Sequence, residues 1–246
     1  MAEFVLRIGS FSAQGVRPNN EDRFVVDEGQ RLFMVADGMG GQERGEVASG
    51  MAAEIIPQAV KESLANEEAA DAALRRAMAQ ANSAIVDAGR GQPEGRRMGT
   101  TAVCALHKGD NVYVASLGDS RAYLIRDDAV EQLTVDHSVA QALVASGALT
   151  PEEARHSPYQ HVLHKFLGCA NMAEGAEVKP ISVHAGDRLL LASDGLTNHI
   201  TEQDLRTGVL KYADPQEWAE HLVKTALERG SRDNVTCIVV AFESAA

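Results

Sequence analysis

An apolar run that stops on an aspartate and a glycine, and then recurs, constrains this chain more than any other feature. Leu32-Phe33-Met34-Val35-Ala36 leads straight into Asp37-Gly38-Met39-Gly40-Gly41. Five consecutive apolar residues suit a buried strand. A carboxylate at its end is held in a fixed position, and the glycines after it permit a sharp turn and close approach of a ligand to the main chain. One Asp-Gly after a strand is commonly a plain hairpin turn. Here the pattern returns as Leu189-Leu190-Leu191-Ala192-Ser193-Asp194-Gly195, and in a close variant as Val112-Tyr113-Val114-Ala115-Ser116-Leu117-Gly118-Asp119.

The 246 residues suffice for one large domain or two small ones with a sizeable core. Apolar residues make up 45% and charged residues 24%, which excludes a disordered chain. A net charge of -12 argues against a nucleic-acid surface. It suits cation binding, and equally a merely acidic surface. Cys104, Cys169 and Cys237 form no Cys-x-x-Cys pair, so neither a disulfide framework nor a zinc site is indicated. The N-terminus lacks the basic segment and apolar core of a secretory signal, and no run approaches ~18 apolar residues. The expectation is a cytoplasmic protein without a membrane partner, monomeric by default.

In chain order, Phe4–Ser12, Arg23–Asp27 and the Asp37 strand are separated by short turns and predict an antiparallel meander. A helix is expected over Glu43–Ala65, with Val47, Met51, Ile55, Val60 and Leu64 inward and Pro57 as a kink or break. Asn66 is a candidate cap for a second helix to about Ala88, with Leu74, Met78, Ala81 and Ile85 inward. A basic loop, Gly89–Gly99, precedes strands at Thr100–His107, Asn111–Ser116, Arg121–Arg126 and Val130–Thr134. Periodicity weakens from Val139 to Gly168, which suits a surface insertion or lid. Its His156, His161 and His164 lack the spacing and glutamate of a zinc-hydrolase helix. Val178–Val183 and the Asp194 strand are read as a hairpin through Ala185-Gly186-Asp187. Helices from Thr201 (a capping box) and from Asp214-Pro215 follow, with Trp218 in the core, before a last strand, Val235–Phe242. Nothing resembles a linker or a repeat, so one domain over 1–246 is expected.

Six acids stand at strand ends beside Gly, Asn or Ser: Glu21, Asp22, Asp37, Asp119, Asp194 and Asp233. If they converge they repel one another, and cations between them relieve this. All-oxygen ligands select Mg²⁺ or Mn²⁺ over zinc. Two such ions ~3.5–4 Å apart can activate a shared water and clamp an in-line displacement at phosphorus. Arg17 is a natural fork for the remaining phosphate oxygens. No Gly-x-Ser-x-Gly elbow, dinucleotide fingerprint or phosphate loop is present. The residues alone leave two readings open, a two-metal hydrolase and structural turns on an acidic protein.

Seven segments appear in order: Arg17-Pro18-Asn19-Asn20-Glu21-Asp22, Val35-Ala36-Asp37-Gly38-Met39-Gly40-Gly41, Gly99-Thr100-Thr101, Gly118-Asp119-Ser120-Arg121, Leu133-Thr134-Val135-Asp136-His137-Ser138, Ala192-Ser193-Asp194-Gly195-Leu196 and Arg232-Asp233-Asn234-Val235-Thr236. The series resembles the PPM family, the PP2C-type metal-dependent Ser/Thr protein phosphatases, in its compact bacterial form. The resemblance implies an α+β fold, an α-β-β-α four-layer sandwich of two antiparallel sheets flanked by helix pairs, with a flap at about 139–168. It implies two Mn²⁺ or Mg²⁺ ions bridged by Asp37, one also bound by the Gly38 carbonyl and the other completed by Asp194 and Asp233. Glu21 and Asp22 would hold metal waters or orient Arg17, and Arg17 would bind the substrate phosphate. A third, weaker metal would sit on Asp119 with Asp194. The implied reaction is attack of a metal-bridging water on phosphoserine or phosphothreonine in proteins, opposing a bacterial Ser/Thr kinase. The alternative is a phosphatase fold used as a binding module without catalysis. Two departures from the family pattern stand out. Met39 occupies a position where many members carry a proton-donating His, and Lys165 stands where the end of the flap usually has Arg.

Overall fold

A computed structural model describes residues 4–40, 44–90, 98–170 and 175–245. Two antiparallel sheets lie face to face. One contains β1 (Phe4–Ala13), β7 (Arg121–Arg126), β8 (Ala129–Gln132), β10 (Arg188–Ala192) and β11 (Val235–Ser244), ordered β1-β11-β10-β7-β8. The other contains β2 (Asp22–Asp27), β3 (Leu32–Met39), β5 (Ala102–Lys108), β6 (Asn111–Leu117) and β9 (Glu177–Ser182) in that spatial order, with β4 (Gly99–Thr100) paired to the end of β3. Phe33, Val35, Val103, Leu189, Leu191, Ile238 and Val240 fill the space between the sheets.

Helices cover both outer faces, and two short ones, α3 (Val139–Ala145) and α4 (Pro151–Arg155), lie in the 139–168 segment. Helices α1 (Arg44–Ala65) and α2 (Ala70–Ala88) seal the β3 sheet through Leu32, Met34, Ile56, Leu74, Met78 and Ile85. Helices α6 (Glu202–Lys211) and α7 (Pro215–Glu228) cover the β11 sheet, where Trp218 is fully buried with Leu205 and Leu222. These are the four layers the resemblance implied. β3 and β11 are buried on both faces, which is why their sequences are continuous apolar runs without alternation. No helix among the described residues is long and apolar enough to cross a membrane.

Several sequence expectations are corrected. The first three strands are no meander, because β1 pairs with β11 while β2 pairs with β3. Turn-rich residues 14–21 cross between the sheets, and turn formers serve a crossing as readily as a hairpin. Ala185-Gly186-Asp187 likewise connects the two sheets, since β9 pairs with β6 and β10 with β7 and β11. Helix α1 runs unbroken through Pro57, and its buried stripe is Gly45, Ala48, Ser49, Ala52, Ile56, Ala59, Val60 and Ser63. Of the apolar positions read in the sequence, Val60 lies on that stripe and Met51, Ile55 and Leu64 pack at its edge, while Val47 is 51% exposed. Small residues on the inner stripe let the helix approach closely, so side-chain size outweighs hydropathy there. Asn66 does not cap α2, whose first turn follows Ala69; its amide instead donates to the Glu62 carbonyl at 3.0 Å, finishing α1. Glu43 and most of the basic loop (91–97) lie outside the described residues.

Candidate active site

Strand ends of both sheets meet at one end of the sandwich. Asp37 lies near the end of β3, opposite Asp22 at the start of β2. Asp194 follows β10 and opens the short helix α5 (Asp194–Thr197). Asp233 precedes β11, and Asp119 sits between β6 and β7. A cavity of about 500 Å³ is lined by Arg17, Glu21, Asp37, Gly38, Met39, Asp119, Asp194 and Asp233, and by Leu163 and Phe166 from the 139–168 segment. Five of the six strand-end acids therefore face one space. Asp22 is 2% exposed and lies behind it.

Backbone and side-chain hydrogen bonds fix this end. The Asp37 amide donates to Thr101 Oγ1 at 2.9 Å, and its carbonyl accepts from the Thr101 amide at 2.8 Å and Thr100 Oγ1 at 2.9 Å. Asn234 bridges the two sheets. Its Oδ1 accepts from the Glu21 amide at 2.8 Å, and its Nδ2 donates to the Gln14 and Asn19 carbonyls. Gly38 admits no side chain, because a Cβ there would lie 2.2 Å from the Gly45 carbonyl oxygen at the start of α1. The absence of a Cβ lets the start of α1 press against the strand that carries Asp37.

The electrostatics are those of converged acids that outnumber the cationic groups facing them, Arg17 on Asp233 and His161 on Asp194. Burial holds the Asp37 carboxyl well above the usual carboxylate range, and Asp22, Asp194, Asp233 and Asp119 push it further the same way. Burial raises Asp22 to about 7 against hydrogen bonds from Thr236 and Ser193. Burial, then Asp194 and Asp136, raise Asp119 to about 7. Asp194 is the exception. Burial raises it, but His161, a hydrogen bond from Asp37 and the Arg121 charge together pull it below its ordinary value. Such a site suits dications, which let every carboxyl ionise, and its hard oxygen donors match Mg²⁺ or Mn²⁺.

Arg17 stands at the rim with its Nη2 2.6 Å from Asp233 Oδ2. It is held by Asp233 and not by Asp22, whose Oδ2 accepts from Ser193 Oγ at 2.9 Å. Asp22 Oδ1 is buried without a partner among the described residues. The three histidines singled out in the sequence diverge. His156 pairs with Glu152, His164 meets the His137 ring edge-on, and His161 alone reaches the acids, 3.5 Å from Asp194. Sequence reasoning missed this contact, together with the supporting roles of Asn234, Thr101 and Ser193. Asn234 carried a signal in its place directly after Asp233. His161 carried none, because its partner is 33 positions away on another element.

The family model "Protein phosphatase 2C" matches residues 13–231. The serine/threonine phosphatase stp of Listeria monocytogenes is 34% identical over 230 residues, covering 92% of this chain and 91% of that one. The serine/threonine protein phosphatase PstP of Mycobacterium tuberculosis is 38% identical over 242 residues, 96% of this chain but 45% of PstP. The crystal structure of the PstP catalytic domain with two manganese ions superposes with a TM-score of 0.80 at 34% identity, covering 98% of this chain and 100% of that domain. Since the family model spans most of the chain and these relatives match it over nearly its whole length, the chain belongs to the protein phosphatase 2C family.

Proposed function

We propose that the chain is a metal-dependent protein serine/threonine phosphatase, a single domain over 1–246 with the 139–168 segment as a flap beside the cleft. The observation that carries this reading is the convergence of Asp37, Asp119, Asp194 and Asp233 on one cavity, where burial and the neighbouring carboxylates push the Asp37 carboxyl up. Asp37 would bridge two ions, the Gly38 carbonyl and Glu21 would face one, and Asp194 and Asp233 would complete the other. Asp119 with Asp194 would hold a third. When bound, the ions supply positive charge for the phosphate oxygens and lower the pKa of water for attack on phosphorus.

The chain's own groups do the rest. Arg17 presents a guanidinium, steadied by Asp233, to the non-reacting phosphate oxygens. The Thr100–Thr101 and Asn234 hydrogen bonds keep Asp37 and Glu21 in place, so little reorganisation accompanies the reaction. Met39 lines the cavity and has no proton to give, so the leaving alcohol is protonated from another source. Two further cavities, about 790 and 680 Å³, share His161 and Asp194 with the first, and give room for a peptide on either side of a phosphoserine or phosphothreonine. Substrates would be targets of a cognate bacterial Ser/Thr kinase in the cytoplasm, met by a monomer. All the acids are retained, which favours catalysis over a binding module. The test is phosphate release from a phosphothreonine peptide with Mn²⁺, with chelator, and by Asp194→Asn with Mn²⁺. Turnover in the first alone supports the reading; none in any, with metal bound, refutes it.

A further inference from the structure

We propose that His161 is a nitrogen ligand of the third cation, completing the site of Asp119 and Asp194 and docking the 139–168 segment onto the metal centre. The inference rests on the phosphatase reading and adds to it a ligand from a different part of the chain. His161 Nδ1 lies 3.5 Å from Asp194 Oδ2, and one donor atom from each of Asp119, His161 and Asp194 falls within 4.8 Å of the others. Asp119 is 9% exposed, and among the described residues its carboxylate accepts only from its own amide. A buried carboxylate with no side-chain donor is costly unless something positive faces it. The His161 ring stands on the open side of Asp119 and Asp194, at the junction of all three cavities.

Backbone bonds fix this juxtaposition. The Val162 amide donates to the Tyr159 carbonyl at 3.2 Å, and the Val139 amide to the Val162 carbonyl at 2.7 Å. The His164 amide donates to the His137 carbonyl at 2.9 Å. His137 in turn grips the Asp119 loop from both sides. Its amide donates to the Gly118 carbonyl at 2.9 Å, and its Nδ1 accepts from the Gly118 amide at 3.1 Å. His161 and Asp119 are therefore laced together through His137, and their donor atoms reach one point without a large rearrangement. A mixed nitrogen–oxygen set favours Mn²⁺ or Co²⁺ over Mg²⁺, so this site would discriminate between metals more sharply than the two all-oxygen sites.

The test is Mn²⁺ titration of the whole chain by calorimetry with electron spin echo detection of ¹⁴N. The wild type should take two tight equivalents and a weaker third, with nitrogen modulation only at the third. His161→Ala should abolish the modulation and weaken the third equivalent at least about 10-fold, leaving the first two. His199→Ala, whose ring lines the same cavity, should change neither. Three equivalents without nitrogen modulation, a third equivalent unaltered in His161→Ala, or uptake of only two would each overturn the proposal. Failure of the first two equivalents would instead overturn the phosphatase reading.

Discussion

Replacing Asp119 by Asn should remove a specific pH dependence from the stability of the metal-free chain. In the folded state burial, Asp194 and Asp136 raise the Asp119 carboxyl from 3.8 to about 7. Between those values the folded chain binds a proton that the unfolded chain has released. Stability from this group is therefore fully present below 3.8 and is lost as pH rises through about 7. Each pH unit inside the window changes it by up to about 1.4 kcal/mol, and the loss from pH 5 to pH 8 sums to about 2–3 kcal/mol. For a chain of this length that is a Tm shift of about 5–10 °C. The assay is thermal unfolding of wild type and Asp119→Asn in chelator across that range. The lowered histidines His107, His137 and His221 are common to both and cancel in the difference. The wild type should lose Tm relative to the variant as pH rises, and the trend should reverse with saturating Mn²⁺, which needs the ionised carboxylate. Parallel curves in chelator would refute the reasoning.

Arg17→Ala should lower kcat/KM on a phosphopeptide by about 100-fold while calorimetry finds the two tight metal sites intact, since the guanidinium serves the phosphate. Gly118→Ala should destabilise the chain by about 1–3 kcal/mol in urea unfolding, because Gly118 has φ +103 and a Cβ would lie 2.6 Å from Thr101 Cγ2. Burial pushes the thiols of Cys104 and Cys237 up to about 12. A thiol reagent should therefore label one cysteine per native chain, the half-buried Cys169, and all three after unfolding.

How far the sequence reveals the structure depends on whether each cause is local. β7 matches its reading residue for residue, because Asp127-Asp128 and the Gly118 turn punctuate it on both sides. The Thr201 capping box is likewise local, with Thr201 and Asp204 exchanging both expected bonds. The acids were legible because an apolar strand ending on Asp-Gly is a signal in itself, and five of the six share the cavity. What failed was non-local. Nothing in residues 14–21 states that the chain leaves one sheet for the other, since that is decided by β11 more than 200 residues away pairing with β1. On α1 the apolar pattern found Val60 in the core and Met51, Ile55 and Leu64 against it, but missed the buried Ala48, Ala52 and Ala59, which a hydropathy pattern undervalues. His161 owes its place to the backbone bonds its neighbours Val162 and His164 make with Val139 and His137, and no spacing rule encodes them.

The most direct test of the account is anomalous diffraction from crystals of this chain grown with Mn²⁺. The account predicts two strong peaks bridged by Asp37, one against the Gly38 carbonyl and the other against Asp194 and Asp233. A single peak, or peaks away from Asp37, would contradict the two-metal centre on which every other conclusion depends.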